Sequence, residues 1–207
     1  MRALYVDVRP QPKRERFNEI MKIGLISDTH GYLDSRIEAE VNQCDRAVHA
    51  GDIGASAVLA ALRPCGGHVV AIRGNNDTLA NWASEAHLLE ALPAEAVLEL
   101  PGGALVVTHG DSAGRPRVRH RNLRKAYPQA RAIVYGHSHH LCCDTGVLPW
   151  ILNPGAAGRT RTYGGPSCLI LDIGPIHWHI HVRRFAVLTK PRRSSRRDVA
   201  QAWSFPK

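Results

Sequence analysis

From Met21 onward the chain alternates short apolar runs with segments of helical character, and the apolar runs stop on carboxylate, amide or imidazole side chains. No other feature narrows the fold so far. A strand over 21–27 leads to a helix over 35–43. A strand over 44–49 leads to a helix over 55–63, and one over 68–73 to a helix over 78–90. Such alternation argues a parallel-type sheet with crossover helices. The pattern then changes. "AVLELPGGALVV" is two strands about a Pro-Gly-Gly turn, a hairpin. A basic helix spans 115–126 and a strand 131–135, and the remainder is β-rich at 141–146, 149–152, 167–173 and 176–185. An α/β half followed by a β-rich half predicts two sheets packed face to face, with helices outside. No repeat of fixed period is visible.

The chain has 207 residues, 44% of them hydrophobic, which suits one domain with a full core. Its expected extent is 21–187, after an N-terminal extension (1–20) and before a basic tail (188–207). No apolar run reaches the roughly 18 residues of a membrane span. The first twenty residues lack a secretory apolar core, and Asp7, Glu15 and Glu19 fit a transit peptide poorly, so a cytoplasmic location is expected. The net charge of +9 lies largely in the ends: residues 1–20 contribute 5 − 3 = +2 and residues 191–207 contribute 5 − 1 = +4. The tail could touch anionic partners, nucleic acid included. No aromatic residues alternate with its arginines, however, which favours a solvated tail. Cys44, Cys65, Cys142, Cys143 and Cys168 form no CxxC spacing and read as reduced, mostly buried thiols. The adjacent Cys142-Cys143 makes a poor metal site, since strand neighbours face opposite ways.

The polar strand ends carry the chemistry. In "LISDTHG", Asp28 and His30 stand two apart; alternate strand residues share a face, so a strand running into a loop can aim both at one point. The second strand ends in "HAGD" with Asp52, the third in "RGNND" with Asn75, Asn76 and Asp77. The hairpin ends in "THGD" with His109, and the next strand in "YGHSHH" with His137 and His139. Ligands of open α/β sheets bind outside the carboxyl ends of strands. Any one of these ends could be a cap or turn, but five in order are hard to explain that way. Two carboxylates, an amide oxygen and four imidazoles, without thiolate, suit manganese, iron, nickel, zinc or cobalt rather than calcium. Seven groups are too many for one ion with an open position. They fit two ions about 3.5–4 Å apart sharing a carboxylate. Gly31, Gly51, Gly74, Gly110 and Gly136 recur beside them and leave room for tight turns.

The series Asp28-x-His30, Gly51-Asp52, Gly74-Asn75-x-Asp77, His109 and Gly136-His137-x-His139 resembles the calcineurin-like metallophosphoesterases. The small size and the "NPGAAGR" stretch are similar to their compact bacterial and archaeal phosphodiesterase branch. The likeness covers about 21–185. It implies an α/β fold, a four-layer αββα sandwich of two mixed sheets flanked by helices. It assigns Asp28, His30 and His139 to one metal and Asn75, His109 and His137 to the other, with Asp52 bridging. Manganese is the first expectation, with nickel, iron, zinc or cobalt behind it. It implies hydrolysis of phosphodiesters before monoesters, by in-line attack of a hydroxide held between the ions, with Asp52, Asn75 and Asn76 as the catalytic set. Many members carry His where this chain has Asn76, which cannot act as a general acid. Losing such an acid forfeits on the order of 10²–10⁴-fold in rate, so better leaving groups and modest turnover are expected. Compact members of the family often form dimers or higher homo-oligomers. Two alternatives stay open: a non-catalytic docking scaffold of the same fold, as in the retromer sorting complex, and a nuclease or RNA-end processing enzyme that uses the tail.

Other residues admit two readings. Asp77 could orient a ligating His or cap a helix. Asn153 or Arg159, near the "NPG" turn, could meet substrate. His49 reads as a packed strand residue and His140 as solvent-facing. His177, His179 and His181 read as the polar outer face of a strand whose inner face is Trp178, Ile180 and Val182. The arginines of helix 115–126 could form a solvated face or draw anionic substrate inward.

Overall fold

The computed structural model describes residues 20–82 and 85–188. Residues 1–19 of the expected N-terminal extension and 189–207 of the expected basic tail, with the anionic or nucleic-acid contact considered for it, lie outside these residues. Six parallel-connected strands carry the frame. In the first sheet, β1 (Met21–Ile26), β2 (Arg46–His49) and β3 (His68–Ala71) run parallel, and β9 (Ser167–Ile173) and β10 (Trp178–Arg184) are added antiparallel, giving the order β10-β9-β1-β2-β3. In the second sheet, β5 (Gly103–Thr108), β6 (Ala132–Tyr135) and β8 (Trp150–Asn153) run parallel. They are flanked by β4 (Glu95–Leu100) and β7 (Cys142–Asp144), in the order β4-β5-β6-β8-β7.

Strand alternation decides the layers. Ile23, Leu25, Val48, Leu169 and Leu171 of the first sheet meet Leu105, Val107, Ala132, Val134 and Leu152 of the second in a central core. The intervening residues face outward. Ile26, Ala47, Cys168 and Ile170 are covered by the helices α1 (Ser35–Asn42), α2 (Ser56–Ala61) and α3 (Ala86–Ala91) through Ile37, Val41, Val58 and Leu89. Val106, Ile133 and Ile151 are covered by α4 (Pro116–Ala126) through Leu123. Strands buried on both faces read as near-continuous apolar runs, as β1, β6 and β9 do. The result is the four-layer αββα sandwich of two mixed sheets.

Two expectations need correction, and one open reading is narrowed. The helix expected over 78–90 is confined to Ala86–Ala91. Before it the chain makes turns in which Trp82 packs into the outer core and its indole N–H reaches Asp77 Oδ1 at 3.2 Å. Of the five cysteines, all free thiols, only Cys44 and Cys168 are buried; short β7 at a sheet edge leaves Cys143 exposed and Cys142 partly so. The arginines of α4 are not one solvated face. Arg119 is buried, and Arg124 pairs with Asp144 at 2.9 Å and donates to the Pro149 carbonyl. As expected, His179 and His181 of β10 and His177 before it are exposed and Trp178 is buried, but Val182, expected on the inner face, is 46% exposed, because the far end of this edge strand runs past the core.

Candidate metal centre

The carboxyl ends of β1, β2, β3, β5 and β6 converge on one rim, and every candidate ligand gathers there. Asp28 and His30 do not converge by strand alternation, because β1 ends at Ile26. They lie in the following loop, where both adopt left-handed backbone (φ 54 and 47). Asp52, His137 and His139 do the same, with φ of 56, 60 and 58. Such geometry costs on the order of 1–3 kcal/mol per non-glycine residue and persists where the surroundings enforce it. The surroundings here are backbone hydrogen bonds between the loops: Asp28 N–H to Gly51 O at 3.0 Å, His30 N–H to Asp52 O at 3.0 Å and Gly31 N–H to Ile53 O at 2.7 Å.

The side chains fall into two groups. In one, His30 Nε2 and His139 Nε2 lie 3.2 Å apart, His139 Nε2 is 3.4 Å from Asp28 Oδ1, and His30 Nε2 is 3.7 Å from Asp52 Oδ2. One ligand atom from each of Asp28, His30, Asp52 and His139 falls within 4.8 Å of all the others. In the second group, Asn75 Oδ1 is 3.1 Å from His109 Nε2 and 2.9 Å from His137 Nδ1, and His109 Nε2 is 3.3 Å from Asp52 Oδ1. Asp52 thus turns one oxygen to each group. Asn76 fastens it there, its backbone N–H donating to Oδ1 at 2.8 Å and its amide to Oδ2 at 2.7 Å.

The fixed orientations suit cation binding. His109 Nδ1–H donates to the Ala50 carbonyl at 2.8 Å, which turns Nε2 into the site. Asp28 accepts from Ser27 Oγ at 2.8 Å and from the His137 N–H at 3.1 Å. Asp28 and Asp52 are 0% and 1% exposed, and buried carboxylates call for a cation. Burial raises Asp28 to about 7. Burial also opposes ionisation of Asp52, yet the His109 hydrogen bond and charge and the Asn76 donors hold it well below the carboxylate range. For His109, burial works against the charge, but Asp52 outweighs it and lifts the imidazole to about 8. Burial depresses the other three: His139 to about 4, with His30 and His137 also lowered. Four imidazoles, two carboxylates and an amide oxygen are ligand types that fit divalent transition ions. Beside them opens a cleft of about 240 Å³ lined by His30, Asp52, Gly54, Asn76, Asp77 and Asn81.

Several neighbours prove structural. Asp77 neither orients a ligating His nor caps a helix. Its carboxylate accepts from the N–H groups of Ile53 (3.1 Å), Gly54 (2.8 Å) and Gly74 (2.8 Å), bracing the Asp52 loop. Asn153 is buried; its amide spans the Gly136 carbonyl and Ser138 Oγ and its carbonyl accepts from Gly155 N–H, so it does not face substrate. Arg159 lies over the Tyr32 ring, 3.5 Å from its centroid. His49 is buried against the Thr29 hydroxyl at 2.8 Å, and burial lowers it to about 4. His140 is exposed and stacks on Tyr163. One site residue that the motifs do not single out is Arg161, whose guanidinium reaches His30.

The sequence model of the calcineurin-like phosphoesterase superfamily domain matches residues 21–174. A phosphodiesterase of Methanocaldococcus jannaschii is 24% identical over 163 residues, covering 73% of this chain and 93% of that protein. Among solved structures, a predicted phosphoesterase of Streptococcus pneumoniae superposes with a TM-score of 0.57 at 23% identity, over 81% of this chain and 91% of that one. The zinc complex of Vps29 from Entamoeba histolytica superposes with a TM-score of 0.61 at 16% identity, over 80% of this chain and 98% of that one.

Proposed function

The chain belongs to the calcineurin-like phosphoesterase superfamily, and from this premise we propose that it is a metal-dependent phosphodiesterase with a dinuclear centre. Asp28, His30 and His139 would hold one ion and Asn75, His109 and His137 the other, with Asp52 shared between them. The observation that carries this reading is Asp52, buried between the two groups with one carboxylate oxygen turned to each. Two divalent ions, manganese first among them, supply Lewis acidity and a hydroxide nucleophile at neutral pH. The protein's part is orientation. The Ala50 carbonyl sets the His109 tautomer, Asn76 fixes both oxygens of Asp52, and the loop hydrogen bonds hold the left-handed ligand residues in place. Asn76 lines the cleft with a neutral amide that cannot protonate a leaving oxygen. Substrates with good leaving groups are therefore favoured, and diesters before alkyl monoesters.

The relative from Methanocaldococcus jannaschii supports the phosphodiesterase reading. The scaffold alternative draws on the likeness to Vps29. A complete set of seven oriented ligand-type side chains speaks for catalysis instead. The test is hydrolysis of an aryl phosphodiester and its matching monoester with Mn²⁺, then with chelator, and with Asp52→Asn as control. Metal-dependent diester hydrolysis that the variant lacks is the expected result. A folded protein inactive with every divalent ion would return the scaffold reading.

A further inference from the structure

Among the described residues, six that are not glycine adopt left-handed backbone: Asp28, His30, Asp52, His137, His139 and Arg161, with φ between 47 and 60. Five are among the seven candidate ligands. The sixth belongs to no ligand motif. Strain of this kind collects at working sites, because elsewhere nothing maintains it, and it sets Arg161 beside the ligands rather than among ordinary loop residues. The side chain agrees with the backbone. Arg161 is exposed, and its Nη2 lies 3.4 Å from His30 Nε2.

A guanidinium only donates, so the Nε2 that faces it must offer its lone pair. That is the same lone pair a metal ion at His30 would take. Once an ion is bound, Arg161 loses its acceptor and stands beside a dication. The conflict is resolved by an anion lying between guanidinium and ion. A phosphoryl oxygen has the required charge, and the guanidinium fork matches phosphate geometry better than an ammonium does.

We propose that Arg161 is the phosphate-binding side chain of this site, donating to a non-bridging oxygen of the phosphodiester when the metals are in place. The proposal rests on the dinuclear reading above. It also separates Arg161 from Arg159 two residues earlier, whose guanidinium is occupied by the Tyr32 ring.

The test uses the full chain loaded with Mn²⁺ and inorganic phosphate as the probe, titrated by calorimetry. Arg161→Asn removes the charge and keeps a residue tolerant of left-handed backbone; Arg161→Lys keeps the charge and loses the fork. Mn²⁺ affinity is measured first and should be unchanged or higher in both variants, since His30 is released. Phosphate binding should weaken by about ten- to a hundredfold in Arg161→Asn, as for loss of one charge-assisted hydrogen bond, and by less in Arg161→Lys. Phosphate affinity unchanged in Arg161→Asn, or lost only in step with Mn²⁺, overturns the proposal, as does a loaded parent that takes up no phosphate. Diester hydrolysis by the parent is assayed separately. Its absence refutes the phosphodiesterase reading, while the phosphate titration still decides Arg161.

Discussion

Gly74 should resist replacement, and replacing it separates folding from metal binding. It lies early in the loop after β3, against Asp52. A Cβ built on it would fall inside contact distance of both the Asp52 backbone nitrogen and Asp52 Oδ1, and 2.8 Å from His109 Cε1. Neither neighbour can yield cheaply. Asp52 and His109 are 1% and 2% exposed, and each is tied by its own hydrogen bonds. Overpacking of a tight core costs typically about 1–3 kcal/mol. With a backbone atom among the clashes, Gly74→Ala belongs at the upper end, about 3 kcal/mol. At about 2–4 °C per kcal/mol for a chain of this size, the thermal midpoint should fall by about 6–12 °C. Gly146→Ala is the control, since a Cβ there meets nothing within 4 Å, and it should stay within about 0.5 kcal/mol of the parent. Both are measured by calorimetric unfolding in chelator, so that bound metal does not enter. Calorimetric Mn²⁺ titration then reports the displaced Asp52 as weakened uptake by Gly74→Ala alone. Coincident unfolding of the two variants would refute the argument.

Three further outcomes are expected. Asp52→Asn should lower diester kcat/KM by at least a hundredfold, since even partners one step removed from a metal are worth about 10–100-fold; parent-like, Mn²⁺-dependent turnover would contradict the shared-carboxylate reading. Burial raises Asp28 to about 7 in the metal-free protein, so the stability its bound proton contributes is full below about pH 4 and is lost as pH rises through 7. Asp28→Asn lacks this titration. In chelator, the parent's thermal midpoint should therefore fall relative to the variant's between those pH values, and a constant difference would contradict it. Asp77→Ala strips the acceptor from three backbone N–H groups and the Trp82 indole. It should cost at least about 2 kcal/mol, a buried unsatisfied donor being worth about 1–3 kcal/mol, and denaturant unfolding that matches the parent would show that water replaces the carboxylate.

Much of the architecture was legible along the chain because burial on both faces leaves a local mark. Runs such as that ending at Ile26, and the Pro-Gly-Gly turn between β4 and β5, mark elements whatever their partners. The helix expected over 78–90 was overestimated for the opposite reason. Its first half carries Trp82, whose place is decided by the outer core and by Asp77. Periodicity registers the apolar residue and is blind to the hydrogen bond. Asp77, Asn153 and Arg159 were ambiguous for a related reason. Asp77 and Asn153 spend their polar atoms on backbone groups supplied by other loops, and Arg159 its guanidinium on the Tyr32 ring; none of these partners is marked by spacing.

The sequence by itself determined the layered α/β frame and the rim at which seven ligand-type side chains would meet, because strand polarity carries each chain end to the same edge. Tertiary structure alone decided how they meet. Asp28 and His30 converge through left-handed loop geometry rather than strand alternation, and Asp52 comes to lie between two groups because Asn76 fixes both its oxygens, one facing His109 and the other His30. Arg161 joined the site only in three dimensions, through a loop that returns after β8 to reach His30. Local sequence records which face of an element is buried; it carries no record of which side chains from distant loops will share a hydrogen bond, and the chemistry of this centre consists of such contacts.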